Sequence, residues 1–396
     1  MTASSKRQQG LLTLNVGSSS IKFALYAADD LSLQVSGQLT GIGSHAKFDA
    51  KSHGDDQRYS NDWPTNDLAN HAHAIAWLVQ WFGDQIANTD VIAVGHRVVH
   101  GGIWFDSPVV VTPDVMRKLR ELEPLAPLHQ PHNLAGIKAA QVAFSGAVHV
   151  ACFDTAFHCH QPFVKDCFAL PRKYYDQGVR RYGFHGLSYE FIAHHLQADY
   201  PLQASGRVVV AHLGNGASMC AMLNGHSIAS TMGFSALDGL PMGTRCGQLD
   251  PGVLLYFLQQ GMTEPALSEM LYKESGLKGI SGISNDMRQL EQSDKLEAKQ
   301  AIDYFVYRIK RELGALSAAL EGLDAVVFTG GIGEHSAHVR ASVLTGMAWL
   351  GVELDEQANS LQETIISTRR SRVLCLRVPT DEETMIAQHT RELVQV

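Results

Sequence analysis

The chain has 396 residues, of which 45% are hydrophobic and 18% charged. Disordered chains have fewer apolar residues and more charge, so this sequence can form buried cores, and its length fits two or three domains. The net charge of −8 argues against a nucleic-acid-binding protein. No apolar run reaches the roughly 18 residues of a membrane span. There is no secretion signal or CxxC pair, so we predict a cytoplasmic protein with reduced cysteines.

The first half of the sequence predicts alternating strands and helices. Leu11–Val16 and Ile21–Tyr26 are apolar runs joined by the turn Gly17–Ser20, which indicates strand, small-residue turn, strand. The polar residues 41–66 predict a loop or a weak edge strand. The next predicted elements are a helix at 71–87, a strand at 91–94, a helix capped by Thr112 and Pro113 that ends at Leu122, a helix at 133–144 and a strand at 147–153.

The second half repeats this scheme. Arg207–His212 and Met219–Leu223 predict two strands joined by the tight turn Gly214–Ser218. The later elements are a long helix at 294–320, a strand at 325–328, a Gly-rich turn at 329–333, a helix from 336 and a last helix that starts near Thr380 with a capping box to Glu383. The repetition predicts two related α/β domains.

Three small-residue turns follow strands, and such turns expose backbone N–H groups that bind phosphate. The Gly330–Gly333 turn lacks the third glycine of a dinucleotide-binding motif, and the chain has no P-loop and no protein-kinase catalytic motif. Two strand–turn–strand hairpins in similar domains, followed by a late Gly-Gly-x-Gly turn, are typical of actin-like and sugar-kinase ATPases. In that plan ATP lies between the two domains.

Six separated motifs resemble the acetate and propionate kinase family. They are Asn15–Lys22, Gly95–Gly102, Phe153–His158, Arg181–Gly186, His212–Gly216 and Met242–Gly247. The resemblance extends from about residue 10 to the C-terminus. It implies an α/β fold of two ribonuclease-H-like domains with an interdomain ATP cleft. The domains would be an acyl-substrate and phosphate domain (1–157 with 383–396) and a nucleotide-binding domain (158–382).

The resemblance implies reversible transfer of the ATP γ-phosphate to acetate, which gives acetyl phosphate and ADP for acetyl-CoA biosynthesis. It also implies Mg²⁺ or Mn²⁺, only small-molecule substrates and a homodimer. A carboxylate is already ionised at neutral pH and needs no general base, so catalysis depends on positioning and on cancelling charge. A propionate or butyrate kinase with the same machinery remains an alternative. A second alternative is a non-enzymatic actin-like ATP switch, which would not need Arg97, Arg245 and His185 to converge.

The matching positions supply the catalytic groups that this chemistry requires. Arg97 and Arg245 would hold the substrate carboxylate and the transferring phosphoryl group, because a guanidinium pairs with two oxygens at once. His185, and also His129, would stabilise the transition state. Asp154 would orient Arg97 and take part in the metal shell, where a sugar kinase would use it as a general base.

The binding residues follow from the same resemblance. Asn15 and Glu382 match metal positions, although an acidic residue at Glu382 also suits a helix first turn. The apolar wall that limits substrate length would comprise Val99, Leu128, Phe184 and Ala236. Ala236 stands where the family usually has proline, and the choice between acetate and propionate as the preferred substrate therefore stays open. The ATP contacts would be Ser18, Lys22, His212, Leu213, Gly214, Asn215, Gly216, Asp286, Met287, Arg288, Gly331, Ile332, Gly333, Glu334 and His335.

The sequence allows alternatives at two of these ATP contacts, Asp286 and His335. Asp286 would equally serve as a helix-start residue. His335 stands where the family usually has asparagine, which leaves the nucleotide-base preference open.

Overall fold

The structure is a computed structural model that describes residues 8–17, 19–63, 68–85 and 89–395. The chain forms two compact units. The first runs to Ala156 and resumes at Asp381, and the second runs from Phe157 to Thr380.

The described strands of the first unit form one sheet. They are β1 (Gln8–Val16), β2 (Ser20–Ala27), β3 (Leu33–Thr40), β4 (Ala46–Ser52), β5 (Arg58–Trp63), β6 (Thr89–Val98), β7 (Val109–Val110) and β8 (Val148–Phe153). Their order is β5-β4-β3-β2-β1-β6-β8-β7. Strands β1 to β5 pair antiparallel, whereas β6 is parallel to β1 and β8 is parallel to β6. The helices of this unit are α1 (His71–Gln85), α2 (Pro113–Glu121), α3 (Gln130–Ala143) and a C-terminal helix, Glu382–Val394.

Helices cover the central strands because those strands carry apolar side chains on both faces. Leu12 and Leu14 of β1 pack in one core with residues of α1 and α3. The C-terminal helix packs against β1 and β6. Gly95 permits that close approach, since a Cβ there would lie 2.3 Å from Thr390 Oγ1. This helix therefore places its first residue, Glu382, in the first unit.

The second unit has a smaller sheet. Its strands are β9 (Arg207–Leu213), β10 (Ala217–Leu223), β11 (His226–Ser230), β12 (Ala325–Thr329) and β13 (Leu374–Arg377), in the order β11-β10-β9-β12-β13. Its longer helices are α6 (Gly186–Asp199), α8 (Pro251–Gln259), α12 (Leu296–Ala319) and α14 (Ala337–Leu344). The shorter ones are α4 (Phe163–Asp166), α5 (Arg172–Asp176), α7 (Pro201–Ala204), α9 (Glu264–Glu269), α10 (Gly276–Ser281), α11 (Met287–Glu291), α13 (Gly330–His335) and α15 (Glu356–Ser360).

The two sheets share one pairing pattern. Each contains an antiparallel hairpin, β1–β2 or β9–β10, whose first strand also pairs in parallel with a later strand. In both hairpins the turn is small: Gly17 N donates to Ser20 O, and Gly214 N donates to Gly216 O. The predicted α/β class with two ribonuclease-H-like domains is confirmed.

Three local predictions were wrong. The C-terminal helix is capped by Asp381, whose side chain accepts from Thr384 N, so there is no Thr380–Glu383 capping box. The Gly-rich turn after β12 is the first turn of helix α13. Helix α3 begins at Gln130, earlier than predicted, because Pro131 is tolerated in a helix first turn.

The segment 41–66 was predicted as a loop or a weak edge strand. It contains β5, which is the edge strand of its sheet, and also β4, which the sequence did not predict. Ala46, Phe48 and Ala50 alternate inward along β4 and join the core, so burial on one face overrides the polar composition.

Candidate active site

Arg97 and Asp154 lie at the ends of two neighbouring parallel strands. Arg97 pairs with Cys152 in the β6–β8 register, and Asp154 is the residue that directly follows β8. Arg97 Nε donates to Asp154 Oδ1 at 2.9 Å, and Nη2 donates to Oδ2 at 2.5 Å. Asp154 is 1% exposed. The pair thus has the bidentate geometry that fixes a guanidinium plane.

Asn15 and Glu382 complete the surroundings of Arg97. Arg97 Nη1 donates to Asn15 Oδ1 at 3.1 Å, and Glu382 Oε2 lies 3.7 Å from Arg97 Nε. Burial alone would lower the pKa of Arg97, but the charges of Asp154 and Glu382 outweigh it and raise the pKa above its usual value. Burial and the neighbouring Glu382 raise the pKa of Glu383. Arg97 is therefore a permanent cation held by acidic groups.

The oxygen atoms around Arg97 suit a hard cation. Among the described residues no group of three or more His, Cys, Asp or Glu could hold a metal ion. Mg²⁺ does not require one, because it usually takes one or two protein oxygens together with water and phosphate. The amide oxygen of Asn15 and the carboxylate of Glu382 fit that requirement.

Other predicted residues of the first unit lie near the strand ends or before α3. Val99 is buried just after β6, whereas Leu128 and His129 are half-buried in the segment that leads into α3. Lys22 is exposed on β2 and pairs with Asn15 in register. Ser18 falls outside the described residues.

Sequence reasoning missed Asn133, a buried residue of α3. Its Oδ1 accepts from Val99 N at 3.0 Å, and its Nδ2 donates to Val16 O at 2.7 Å. Asn133 therefore fixes the end of β1 relative to the residue that follows β6. A buried amide in an apolar helix face was the available signal, since such a group requires partners.

In the second unit, His185 and His212 form a stacked pair. Their ring centroids are 4.3 Å apart and the rings are inclined by 20°. His185 Nδ1 lies 2.8 Å from Ser218 Oγ, and His212 Nδ1 lies 2.8 Å from Ser188 Oγ. A Cβ at Gly216 would lie 3.2 Å from His185 Nε2 and 3.9 Å from Arg245 Nη1. The histidine and the arginine thus lie beside the same small-residue turn.

Arg245 belongs to a loop that helix α10 holds by its backbone. Leu277 N donates to Met242 O at 2.8 Å, and Lys278 N donates to Gly243 O at 2.9 Å. Arg245 Nη1 donates to Ala236 O at 3.2 Å. The half-buried Ala236 therefore contacts Arg245 through the backbone carbonyl group of Ala236.

Phe184 is 2% exposed. Its carbonyl accepts from His158 Nε2 at 3.0 Å, while Ser227 Oγ lies 2.7 Å from His158 Nδ1. Burial lowers the pKa of His158 to about 4. His158 is thus a neutral structural residue behind the Phe184 backbone.

A cavity of about 470 Å³ opens within the second unit. It brings together residues from the β9–β10 turn, helix α11 and helix α13. The predicted ATP residues that line it are Gly214, Asn215, Asp286, Met287, Arg288, Gly331, Ile332 and His335. The predicted residues that do not line it are Lys22, His212, Leu213, Gly216, Gly333 and Glu334, together with Ser18, which is not described.

Three residues that line the cavity were missed from the sequence: Asn285, Glu291 and Ser336. Asn285 Nδ2 donates to Asn215 Oδ1 at 3.2 Å, and Ser336 bonds with Glu291. Asp286 is also a helix-start residue, because its side chain accepts from Arg288 N at the start of α11. Its hydrogen bond with Arg288 lowers the pKa of Asp286.

Four hydrogen bonds hold helix α13 in place. Glu334 Oε1 accepts from Gly330 N at 2.9 Å and from Thr380 N at 3.2 Å. The fully buried Arg340 donates to the carbonyls of Gly333 at 2.9 Å and Glu334 at 2.8 Å. Glu334 is thus engaged with the backbone, and Arg340, which sequence reasoning missed, supports the same helix.

Comparisons with known proteins agree on one family. The model of the acetokinase family matches residues 10–388. The acetate kinase of Methylocella silvestris is 54% identical over 97% of this chain and 98% of its own length, and that of Rhodopseudomonas palustris (strain TIE-1) is 53% identical with the same coverage.

Solved structures give the same result. The acetate kinase of Porphyromonas gingivalis is 35% identical with a TM-score of 0.86, covering 98% of this chain and 100% of that one. A propionate kinase of Francisella tularensis is 36% identical with a TM-score of 0.90, covering 97% and 99%. Within the described ranges, no helix is long and apolar enough to cross a membrane.

Proposed function

The chain belongs to the acetokinase family, and we propose that it transfers the γ-phosphate of ATP reversibly to acetate, giving acetyl phosphate and ADP. The observation that carries this proposal is the engagement of Asp154. Both of its oxygens accept hydrogen bonds from Arg97, so it is committed to orienting a cation and is poorly placed to remove a proton. A hydroxyl acceptor requires a general base, whereas a carboxylate acceptor does not.

In this mechanism the first unit binds the carboxylate. Arg97, oriented by Asp154, pairs with the substrate oxygens, and His129 donates to the phosphoryl group. Val99 and Leu128 are the residues of this unit that limit the length of the acyl chain. Asn15 and Glu382 would hold a magnesium or manganese ion, which neutralises phosphate charge when it is bound.

The second unit binds the nucleotide. Its cavity is of the size that small-molecule sites have, and the β9–β10 turn and α13 offer backbone N–H groups for phosphate. His185 and Arg245 stabilise the charge that develops on the equatorial oxygens of the phosphoryl group. Phe184 and Ala236 are the candidates of this unit for limiting acyl length.

The reverse reaction tests the proposal. The protein is incubated with ADP, acetyl phosphate and Mg²⁺, and ATP formation is followed by a coupled assay. We expect turnover by the unaltered protein, and a loss of orders of magnitude in Arg245→Ala with nucleotide affinity nearly intact. Nucleotide binding with no turnover in either direction would contradict the proposal.

Propionate is the second candidate acceptor. Ala236 stands where the family usually has proline, which removes volume from the proposed acyl wall. A propionate kinase is among the similar solved structures. One methylene changes discrimination by only about 1–3 kcal/mol, so the two acceptors can share one site.

The protein also forms a homodimer in this proposal. Helix α8 has no buried residue within the chain. Leu255, Tyr256 and Leu258 on it are 59%, 57% and 46% exposed. Such an apolar face suits a second copy of the chain. Light scattering should give twice the 43.3 kDa chain mass, and Tyr256→Asp should reduce it.

The proposed compartment is the cytoplasm, with a place in acetyl-CoA biosynthesis. The six cysteines form no disulfide bond with one another, which is usual in reducing compartments.

A further inference from the structure

A chain of hydroxyl groups ends on His185. Tyr189 Oη lies 2.5 Å from Ser218 Oγ, and Ser218 Oγ lies 2.8 Å from His185 Nδ1. Tyr189 and Ser218 are both fully buried. Tyr189 belongs to α6, whose N-cap is His185 itself, in a left-handed conformation with φ of 58°. Helix α6 and strand β10 therefore fix the side chain of His185 from behind.

The direction of the hydrogen bonds follows from burial. Tyr189 keeps its proton, since burial raises its pKa well above the usual value. Among the described residues Ser218 Oγ is the only hydrogen-bond partner of this hydroxyl. A buried hydroxyl that fails to donate carries the full cost of its desolvation. Tyr189 must therefore donate to Ser218.

The serine has one proton and uses it once. Because Ser218 Oγ accepts from Tyr189, its own proton is available for its other neighbour, His185 Nδ1. The reverse arrangement, with Nδ1–H donating to Ser218, would leave one buried hydroxyl proton of this chain, that of Ser218 or that of Tyr189, without an acceptor. The neutral ring of His185 then carries its proton on Nε2, beside Gly216.

The charged and titratable groups around His185 also favour a neutral ring. The cation Arg245 shares the surroundings of Gly216, and His212 stacks on the imidazole. His212 pairs with Ser218 across β9 and β10. Its own Nδ1 meets Ser188 Oγ, which in turn lies 2.9 Å from Thr380 Oγ1. A second positive charge would be repelled by Arg245 and by any proton on His212.

We propose that Tyr189 and Ser218 are positioning residues that hold His185 as the neutral Nε2–H tautomer, so that it always presents a donor to the transferring phosphoryl group. The catalytic consequence rests on the proposed function, whereas the tautomer does not. Neither residue is expected to touch a substrate.

The test is the nitrogen NMR spectrum of the full protein labelled with ¹⁵N-histidine, recorded at pH 8. His185→Gln assigns the signal by its disappearance. We expect His185 to show a protonated Nε2 and an unprotonated Nδ1. In Ser218→Ala, Nδ1 loses its hydrogen-bond donor, so the protonated Nδ1 form should become populated. In Tyr189→Phe, Ser218 loses the hydrogen bond that orients its proton, so the same form should become populated to a smaller extent.

The matched control is Tyr182→Phe, which removes another buried hydroxyl of the same unit, one that donates to Gly178 O at 2.7 Å. It should leave the His185 signals unchanged. If Tyr189→Phe does not fold, Ser218→Ala tests the same relay. A wild-type ring protonated on Nδ1, or an imidazolium at pH 8, would overturn the proposal, as would an unchanged tautomer in both variants.

Kinetics provide the second readout. In Tyr189→Phe kcat should fall by up to about tenfold, since one neutral hydrogen bond biases an equilibrium by about that factor, while KM for ATP stays unchanged. A rise in KM with kcat intact would indicate a structural role and overturn the positioning role. If the wild-type protein forms no acyl phosphate, the proposed function fails, but the nitrogen spectrum still decides the tautomer.

Discussion

The guanidinium of Arg97 and the carboxylate of Asp154 form a two-point ion pair in which the carboxylate is buried and the guanidinium is half-buried. Burial of two charges is costly unless their geometry is good, and loss of one partner leaves an uncompensated charge. The pair lies where β6 and β8 end side by side, so the sheet itself sets its geometry.

Asp154→Asn tests this pair directly. The amide retains the size of the carboxylate but loses its charge and one of two acceptors. We expect kcat to fall by at least about 100-fold and the free energy of unfolding to fall by about 3 kcal/mol. The matched control is Asp303→Asn, which removes an exposed pair with Lys299 on α12 and should change stability by less than about 0.5 kcal/mol. Full turnover in Asp154→Asn would show that the pair has no functional role.

Substitutions at two adjacent glycines, Gly330 and Gly331, should affect folding and nucleotide binding separately. A Cβ at Gly331 would meet no atom within 4 Å, and Gly331 lines the cavity. Gly331→Leu should therefore raise the dissociation constant for ATP with little change in stability. Gly330 has φ of 75° and its Cβ would lie 2.9 Å from Leu213 O, so Gly330→Ala should cost about 1–3 kcal/mol. Calorimetry with ATP and thermal unfolding distinguish the two effects. Unaltered ATP affinity in Gly331→Leu would place the nucleotide elsewhere.

Acid should destabilise the folded protein through its buried histidines. Burial lowers the pKa of both His100 and His158 to about 4, whereas an unfolded histidine has a pKa near 6.5. Between pH 6.5 and 4 the unfolded state binds more protons, so the free energy of unfolding falls as the pH falls through that window. Above pH 6.5 these two histidines do not make the free energy of unfolding depend on pH.

Urea unfolding at pH 7.5 and pH 5.5 measures this effect. We expect a loss of about 3 kcal/mol for the two groups together, at about 1.4 kcal/mol each. His158→Gln should show a shallower dependence, and the exposed His53→Gln should keep the wild-type slope. Equal stability at both pH values would mean that these rings are not buried as described.

The close contact between Gly95 and the C-terminal helix gives a prediction on stability. A Cβ at Gly95 would lie 2.5 Å from Ile386 Cγ2, so Gly95→Ala must push the helix outward and should cost about 1–3 kcal/mol. Glu382 begins this helix, so the Mg²⁺ concentration for half-maximal activity should also rise. Gly83→Ala is the control, because its Cβ meets open space within α1 and should stabilise by about 0.5–1 kcal/mol. Equal stability in both variants would contradict the packing argument.

The elements with strong periodicity were predictable. Helix α12, predicted at 294–320, spans Leu296–Ala319, and Thr112 caps α2 as expected. The start of the C-terminal helix was not, because Thr380 and Asp381 are both good cap residues. Only tertiary structure assigns Thr380 Oγ1 to Ser188 and the cap to Asp381.

The residues of the candidate site fall into the same two groups. Sequence motifs point to Arg97, Asp154 and His185, whereas no motif points to the four supporting residues Asn133, Ser218, Tyr189 and Arg340. Each supporting residue acts through a partner that is distant in the sequence, such as Val16 for Asn133. A polar residue on an apolar helix face, such as Asn133, signals that a partner is required, but no local pattern identifies that partner.

Acyl-phosphate formation from ATP and Mg²⁺, measured with acetate, propionate and butyrate in parallel and trapped by hydroxylamine, decides whether this protein phosphorylates a carboxylate. We predict acyl hydroxamate from acetate with the highest kcat/KM, and a measurable but lower value for propionate, since Ala236 leaves room for one methylene. Absence of product from all three acids, at saturating ATP, would contradict the assignment of this site to phosphoryl transfer onto a carboxylate.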